Sequence, residues 1–235
     1  MKNVFFPLFI LFGVIASGFV VVKTDKNEKK FTEDLIPDSA VFSSTGRNTY
    51  FILEPGYRLV LKGMDGKDSS TLIITVLNET KKVGGIETRV VEENESVNGR
   101  TIEISRNFFA CCKNNNSIYY FGEETDLFDK DGNKIPGKDS WLATGNNKPG
   151  LQMPGLVLLG ARYYQEIAPG IAMDRAEILS TDNAFTTPSG TFKNVLKTEE
   201  TTPLEPLEKE YKLYAPGIGL IKDEGLVLVQ YGFVN

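Results

Sequence analysis

From Tyr50 onward the chain breaks into short apolar or alternating runs, rich in β-branched and aromatic residues, with turn residues about every eight to twelve positions. That spacing predicts an antiparallel sandwich or barrel. Tyr57–Lys62 places Tyr57, Leu59 and Leu61 on one face, whereas Thr71–Leu77 is apolar on both faces and reads as a central strand. Gly84-Gly85 and Asn98-Gly99 are hairpin dipeptides, and Ile86–Glu92 and Thr101–Ser105 follow them with period two. Asn107–Cys112 and Ser117–Phe121 predict the next pair. Between residues 129 and 154 turn residues dominate, and only Ser140–Ala143 predicts a strand. Arg162–Ile167, Ala172–Thr181 and Thr191–Thr198 resume the pattern, and Glu210–Tyr214, Ile218–Lys222 and Leu226–Tyr231 close it as a meander. Past the N-terminus no stretch of about a dozen residues carries a helical apolar stripe. The expected fold is therefore all-β: an antiparallel meander forming a curved sheet, half-open barrel or sandwich.

The N-terminus breaks this pattern. After Lys2 the run Val4–Val22 holds no charge, and Ala16-Ser17-Gly18 offers the small residues that signal peptidase reads. From Val4 the run is also just long enough to cross roughly 30 Å of hydrocarbon as an apolar helix. Residues 1–22 thus read as a signal peptide or, if uncleaved, as an N-terminal membrane anchor. Either way the remainder is expected outside the cytoplasm, secreted, periplasmic or held at the cell surface. Residues 23–47 open with KTDKNEKK and read as a solvated linker. Residues 48–235 remain as a single β domain.

Composition narrows the chemistry. Acids and bases, 31 against 26, interleave along the chain, so no cationic face suits nucleic acid. Histidine is absent, which excludes Ser-His-Asp and Cys-His catalysis and every histidine-containing metal site. Cys111 and Cys112 are the only cysteines; neighbours on a strand point to opposite faces, which predicts two unlinked thiols, one buried and one outward. Asp129-Lys-Asp-Gly-Asn133 mimics the start of a calcium loop, but Lys134 and Ser140 stand where glycine and glutamate are required, so a turn is expected. No metal or cofactor is expected. Glu166, Asp174 and Glu177 could serve a carboxylate-dependent hydrolase, although Arg175 shares a face with Glu177 and predicts a structural ion pair. Phe108, Tyr119, Phe121, Trp141 and Tyr163 are candidate ligand-lining residues, with simple core packing as the alternative.

Four segments, Asn107–Glu123, Trp141–Gly155, Arg175–Thr198 and Thr202–Asp223, together resemble a family of exported bacterial proteins of unassigned function. The most recognisable part is Tyr-Ala-Pro-Gly-x-Gly at Tyr214–Gly219. The resemblance implies an exported antiparallel β fold, by analogy a half-open barrel like those of periplasmic lipid carriers. In similar sequences an amide and an acid replace Cys111 and Cys112, and the following hairpin carries Asp and Gly where Asn114–Asn116 stand.

Three functions remain expected from the sequence. The first is a non-enzymatic exported domain binding an apolar or amphipathic small molecule, or another envelope component. The second is a structural or adhesion module held at the membrane by the N-terminal segment. The third is a carboxylate-dependent glycan hydrolase.

Overall fold

The computed structural model describes residues 29–137 and 140–234, which form strands, turns and irregular segments without a helix. The chain divides into two compact units, Met1–Lys30 and Phe31–Asn235. The apolar helix expected within residues 1–22 lies outside the described residues.

The strands run in chain order as β1 (Phe42–Ser43), β2 (Gly46–Asn48), β3 (Phe51–Leu53), β4 (Tyr57–Asp65), β5 (Asp68–Val83), β6 (Ile86–Val97), β7 (Arg100–Cys112), β8 (Ile118–Phe128) and β9 (Lys134–Pro136). There follow β10 (Trp141–Leu142), β11 (Lys148–Met153), β12 (Arg162–Tyr164), β13 (Glu166–Ile167), β14 (Arg175–Thr187), β15 (Gly190–Thr201), β16 (Glu210–Ala215), β17 (Gly219–Asp223) and β18 (Leu226–Phe233).

One antiparallel sheet carries nearly all of them, in the order β12-β14-β15-β16-β17-β18-β4-β5-β6-β7-β8-β11-β13. Its two ends belong to one stretch of chain. Arg162–Tyr164 pairs with β14, Glu166–Ile167 pairs with β11, and Gln165 alone separates them. The sheet therefore curls into a nearly closed barrel and leaves little free edge. At this seam a Cβ on Gly150 would lie 2.0 Å from the Gln165 carbonyl oxygen, so only glycine lets the backbones meet. Register shifts within β5–β6, β7–β8, β14–β15 and β18–β4 add the local twist that closure needs.

Local sequence explains the long hairpins. Asn98 and Gly99 both adopt positive φ, as a two-residue turn matching strand twist demands. The Asn98 carboxamide oxygen also accepts the Ser69 N–H at 2.9 Å, tying the β6–β7 turn to the start of β5.

The segment 31–53, whose first part composition assigns to a linker, lies against the barrel instead. Phe31, Ile36, Ala40 and Phe42 are spaced apolar positions within it, and they find partners. Thr32 bridges Tyr163, Phe42 meets Tyr119 and Phe121 edge-on at 5.6 and 5.4 Å, and Phe42 pairs in register with Cys112. The β2–β3 hairpin follows, and Phe51–Leu53 touches both β7 and β17, strands far apart along the wall. It thus spans the interior at one end, where Phe51 packs on Phe109 at 5.2 Å and Leu53, Leu61, Leu196, Ile178 and Leu228 are fully buried.

This covering corrects the expectation for the cysteines. Both thiols are free and both are buried: β1 pairs beside Cys111 and Cys112 within the sheet, and the Cys111 sulfur packs against Gly46 of β2. The turn-rich stretch 129–154 also holds more order than expected, with β9 and β11 both paired to β8.

Candidate functional site

The end of the barrel away from the β2–β3 hairpin is polar inside. Its centre is Lys212 on β16, whose ammonium lies 3.2 Å from Glu200 on β15 and 3.7 Å from Asp223 on β17. Glu200 is a hub. One carboxylate oxygen takes the ammonium, and the other accepts from Thr198 at 3.2 Å, Tyr214 at 3.3 Å and the Gln165 amide at 3.3 Å. Lys212 and Asp223 side chains remain 22% and 20% exposed, so water reaches them although protein surrounds them.

Strands on the opposite wall join this cluster. Glu93 and Glu95 on β6 interact electrostatically with Lys212, Asp223 and Glu103. Along the sheet β6 stands five strands from β16. At about 4.8 Å per strand that path is roughly 24 Å, well beyond a Debye length of about 8–10 Å. The charges meet through the interior. Register agrees: Glu95 lies beside Glu103, and Glu93 beside Ser105, which shares a rung with Thr125. Among the described residues no hydrogen-bond donor reaches the Glu93 or Glu95 carboxylate.

Burial sets the titration of this region. It raises Glu93 to about 7, partly countered by Lys212 and reinforced by Asp223 and Glu103. Burial and the charges of Glu103 and Glu93 hold Glu95 well above the usual carboxylate value. Glu210 rises to about 7, and Asp223 is also raised, in both cases through burial against the pull of Lys212. Burial alone would lower Lys212, but Asp223, Glu200, Tyr214 and Glu210 outweigh it and leave the ammonium firmly charged.

The closing strand contributes too. Glu166 on β13 is raised well above its usual value by burial, then by Asp174 and Glu123, and its N–H donates to the Asp174 carbonyl at 3.1 Å. Tyr163 is 2% exposed, and its hydroxyl, in the field of Glu200, has no hydrogen-bond partner. The Gln165 side-chain oxygen Oε1 is likewise buried and unpartnered, although the side-chain amide N–H serves Glu200.

Of the aromatic residues expected to line a ligand, all five are buried in the core. Tyr119 and Phe121 lie beneath Phe42, Phe108 beneath the Lys81 ammonium at 4.6 Å, and Trp141 edge-on to Tyr120 at 5.4 Å. Tyr163 has its hydroxyl in the field of Glu200, and the Trp141 ring N–H is buried without a hydrogen-bond partner. Of the acids singled out from sequence, Glu166 and Asp174 adjoin. Glu177 pairs with Arg162 on β12 at 2.9 Å, whereas Arg175 donates to Thr201 and lies over the Phe31 ring. The structural ion pair is present with a cross-strand partner rather than the same-face neighbour. Asp129 accepts the N–H groups of Asp131 and Asn133 at 2.9 and 2.8 Å, which makes 129–133 an aspartate-capped turn. Among the described residues no group of three or more acids or cysteines has metal-binding geometry. A separate surface groove of about 510 Å³ lies between residues 40–44 and the Gly85–Glu87 corner.

Sequence reasoning missed Glu93, Glu95, Glu103, Gln165, Glu200, Glu210, Lys212 and Asp223. A signal existed in β16, where Glu210, Lys212 and Tyr214 share one face and Tyr211 and Leu213 the other. Alternation separates the faces without saying that the charged one points inward. No protein family, no curated protein and no solved structure matches the chain.

Proposed function

We propose that this is an exported, non-enzymatic β domain that binds an amphipathic small molecule inside the barrel. The observation that carries the reading is the divided interior: apolar and plugged by Phe51–Leu53 at one end, acidic and water-reached around Lys212 at the other. A folded protein with nothing to bind gains little from turning so many carboxylates inward, since burying charge is costly. Export rests on the leader-like run Val4–Val22 and on the family resemblance. Leu156, Leu158 and Leu159, exposed between β11 and β12, supply apolar surface for contact with another envelope component.

Native mass spectrometry of the full chain, purified without denaturant, tests this. A co-purifying molecule, or saturable uptake of the apolar probe N-phenyl-1-naphthylamine, is expected. A bare polypeptide mass together with no probe uptake overturns the proposal. A second reading, a carboxylate-dependent glycan hydrolase, is favoured by one observation: Glu93, raised to about 7 beside other acids, has the protonation behaviour of a general acid. Release of reducing sugar from envelope polysaccharide, abolished in Glu93→Gln, is its signature, and no release excludes it.

A further inference from the structure

We propose that the acidic end of the interior recognises a protonated amine, held by its N–H groups between Glu93 and Glu95 on one wall and Tyr163 and Gln165 on the closing strand. The inference rests on the interior-binding reading above and names the chemistry of the ligand.

Two independent observations converge on it. The first is charge: Glu93, Glu95, Glu200, Glu210 and Asp223 surround the Lys212 ammonium, and burial, by raising Glu93 and Glu210 to about 7, keeps protons on carboxyls that a bound cation would release. A cation is the complement. The second is hydrogen bonding. Native proteins rarely leave a buried polar atom unpaired, yet the Tyr163 hydroxyl and the Gln165 side-chain oxygen Oε1 are both unpaired here, in the surroundings of Glu200. The Gln165 oxygen can only accept, and so can every ionised carboxylate near it. What these two oxygens lack is donors.

Lys212 does not supply them, because Glu200 and Asp223 already hold its ammonium. A bare divalent cation fits less well, since the acids do not gather into a coordination group among the described residues. A quaternary ammonium would match the charge but donate nothing to Gln165. A primary or secondary ammonium satisfies both requirements.

Calorimetry on the full chain at pH 8 tests the proposal with four probes: spermidine, dodecylamine, dodecyltrimethylammonium and magnesium chloride. Saturable binding of at least one of the two amines is expected, with dodecyltrimethylammonium about tenfold weaker than dodecylamine. Preference for spermidine identifies a free polyamine, and preference for dodecylamine an amphipathic amine. Glu95→Gln is expected to weaken the amine about tenfold. Tyr163→Phe is the sharper variant: it removes an oxygen that bonds nothing in the fold, so the thermal midpoint holds while amine affinity falls severalfold. Failure of both amines to bind, unchanged affinity in both variants, or magnesium saturating the site without amine competition each overturns the inference. Uptake of N-phenyl-1-naphthylamine without amine binding refutes the amine and leaves the interior-binding reading intact, whereas loss of both removes both.

Discussion

Glu93→Gln replaces a buried carboxyl with a neutral group of nearly the same shape, and its effect on stability can be worked from the titration of the folded state. Burial raises Glu93 from 4.5 to about 7. At about 1.4 kcal/mol per pH unit the ionised form is disfavoured by on the order of 3 kcal/mol. Water reaches the carboxylate, so about 1–3 kcal/mol is the working range. The direction follows from proton linkage. Below about pH 4.5 the group is protonated in both states and contributes nothing. Between 4.5 and about 7 only the folded chain keeps the proton, so stability falls as pH rises; above about 7 the full penalty persists. Glutamine escapes it. Urea unfolding of the full chain is therefore expected to show Glu93→Gln more stable than the parent by about 1–3 kcal/mol at pH 8, the gap closing toward pH 4. The thermal midpoint at pH 8 rises by roughly 3–9 °C. With saturating amine the order narrows or reverses, because the parent gains more from the ligand. A destabilised variant at pH 8, or a gap that does not change with pH, refutes the reasoning.

Three further outcomes probe the frame that holds the site. Gly46→Ala sets a Cβ 2.6 Å from the Cys111 sulfur and 2.9 Å from the Cys111 Cβ, and the clash is expected to lower stability by about 1–3 kcal/mol; Cys111→Ala should relieve only the sulfur's share and Cys111→Gly more, measured by urea unfolding of the single and double variants. Gly150→Ala forces the β11 backbone away from the Gln165 carbonyl 2.0 Å from its new methyl group, so amide exchange of residues 165–167 should accelerate well before that of β5 and β6, and uniform acceleration would count against the seam. Cys111 and Cys112 are buried, and burial with the neighbouring Cys112 raises the Cys111 thiol, so a disulfide-exchange reagent should leave both untouched in the native chain and titrate two thiols in denaturant.

The sheet was legible in the chain because turn chemistry and alternation agree. Asn98-Gly99 specifies its turn through positive φ, and the strands on either side pair from it with one register shift, between Glu95 and Ser96. The closure was not legible. Pro149 and Gly150 read as turn residues, but in β11 the glycine is there for the close approach of the seam. Residues 31–47 read as linker because Phe31, Ile36 and Phe42 are too widely spaced to announce an element, yet each finds an aromatic or apolar partner on the barrel. The same covering buries both cysteines where alternation alone exposes one. The aromatic residues drew attention through size and are core. The acids of the interior looked like solvated charge, because period two assigns a face and cannot assign the side of a wall that has not yet been bent into a barrel.

The stretch that closes the barrel also contributes to the candidate site. Arg162–Ile167 completes the wall, and within it Tyr163 and Gln165 hold the unpartnered oxygens while Glu166 joins the acids. A ligand gripped there would connect the closing strand directly to β6, a strand it reaches by no sheet pairing. That places the weakest part of the wall, a short strand split between two neighbours, under the control of whatever binds inside. Amine binding should thus protect the amides of Arg162–Ile167 from exchange more than those of the long β5–β6 hairpin, whose own hydrogen bonds already hold it. If the amine binds as proposed, site and seam act as one device: the carboxylates that reduce the stability of the free protein would be those that hold the seam in its bound form.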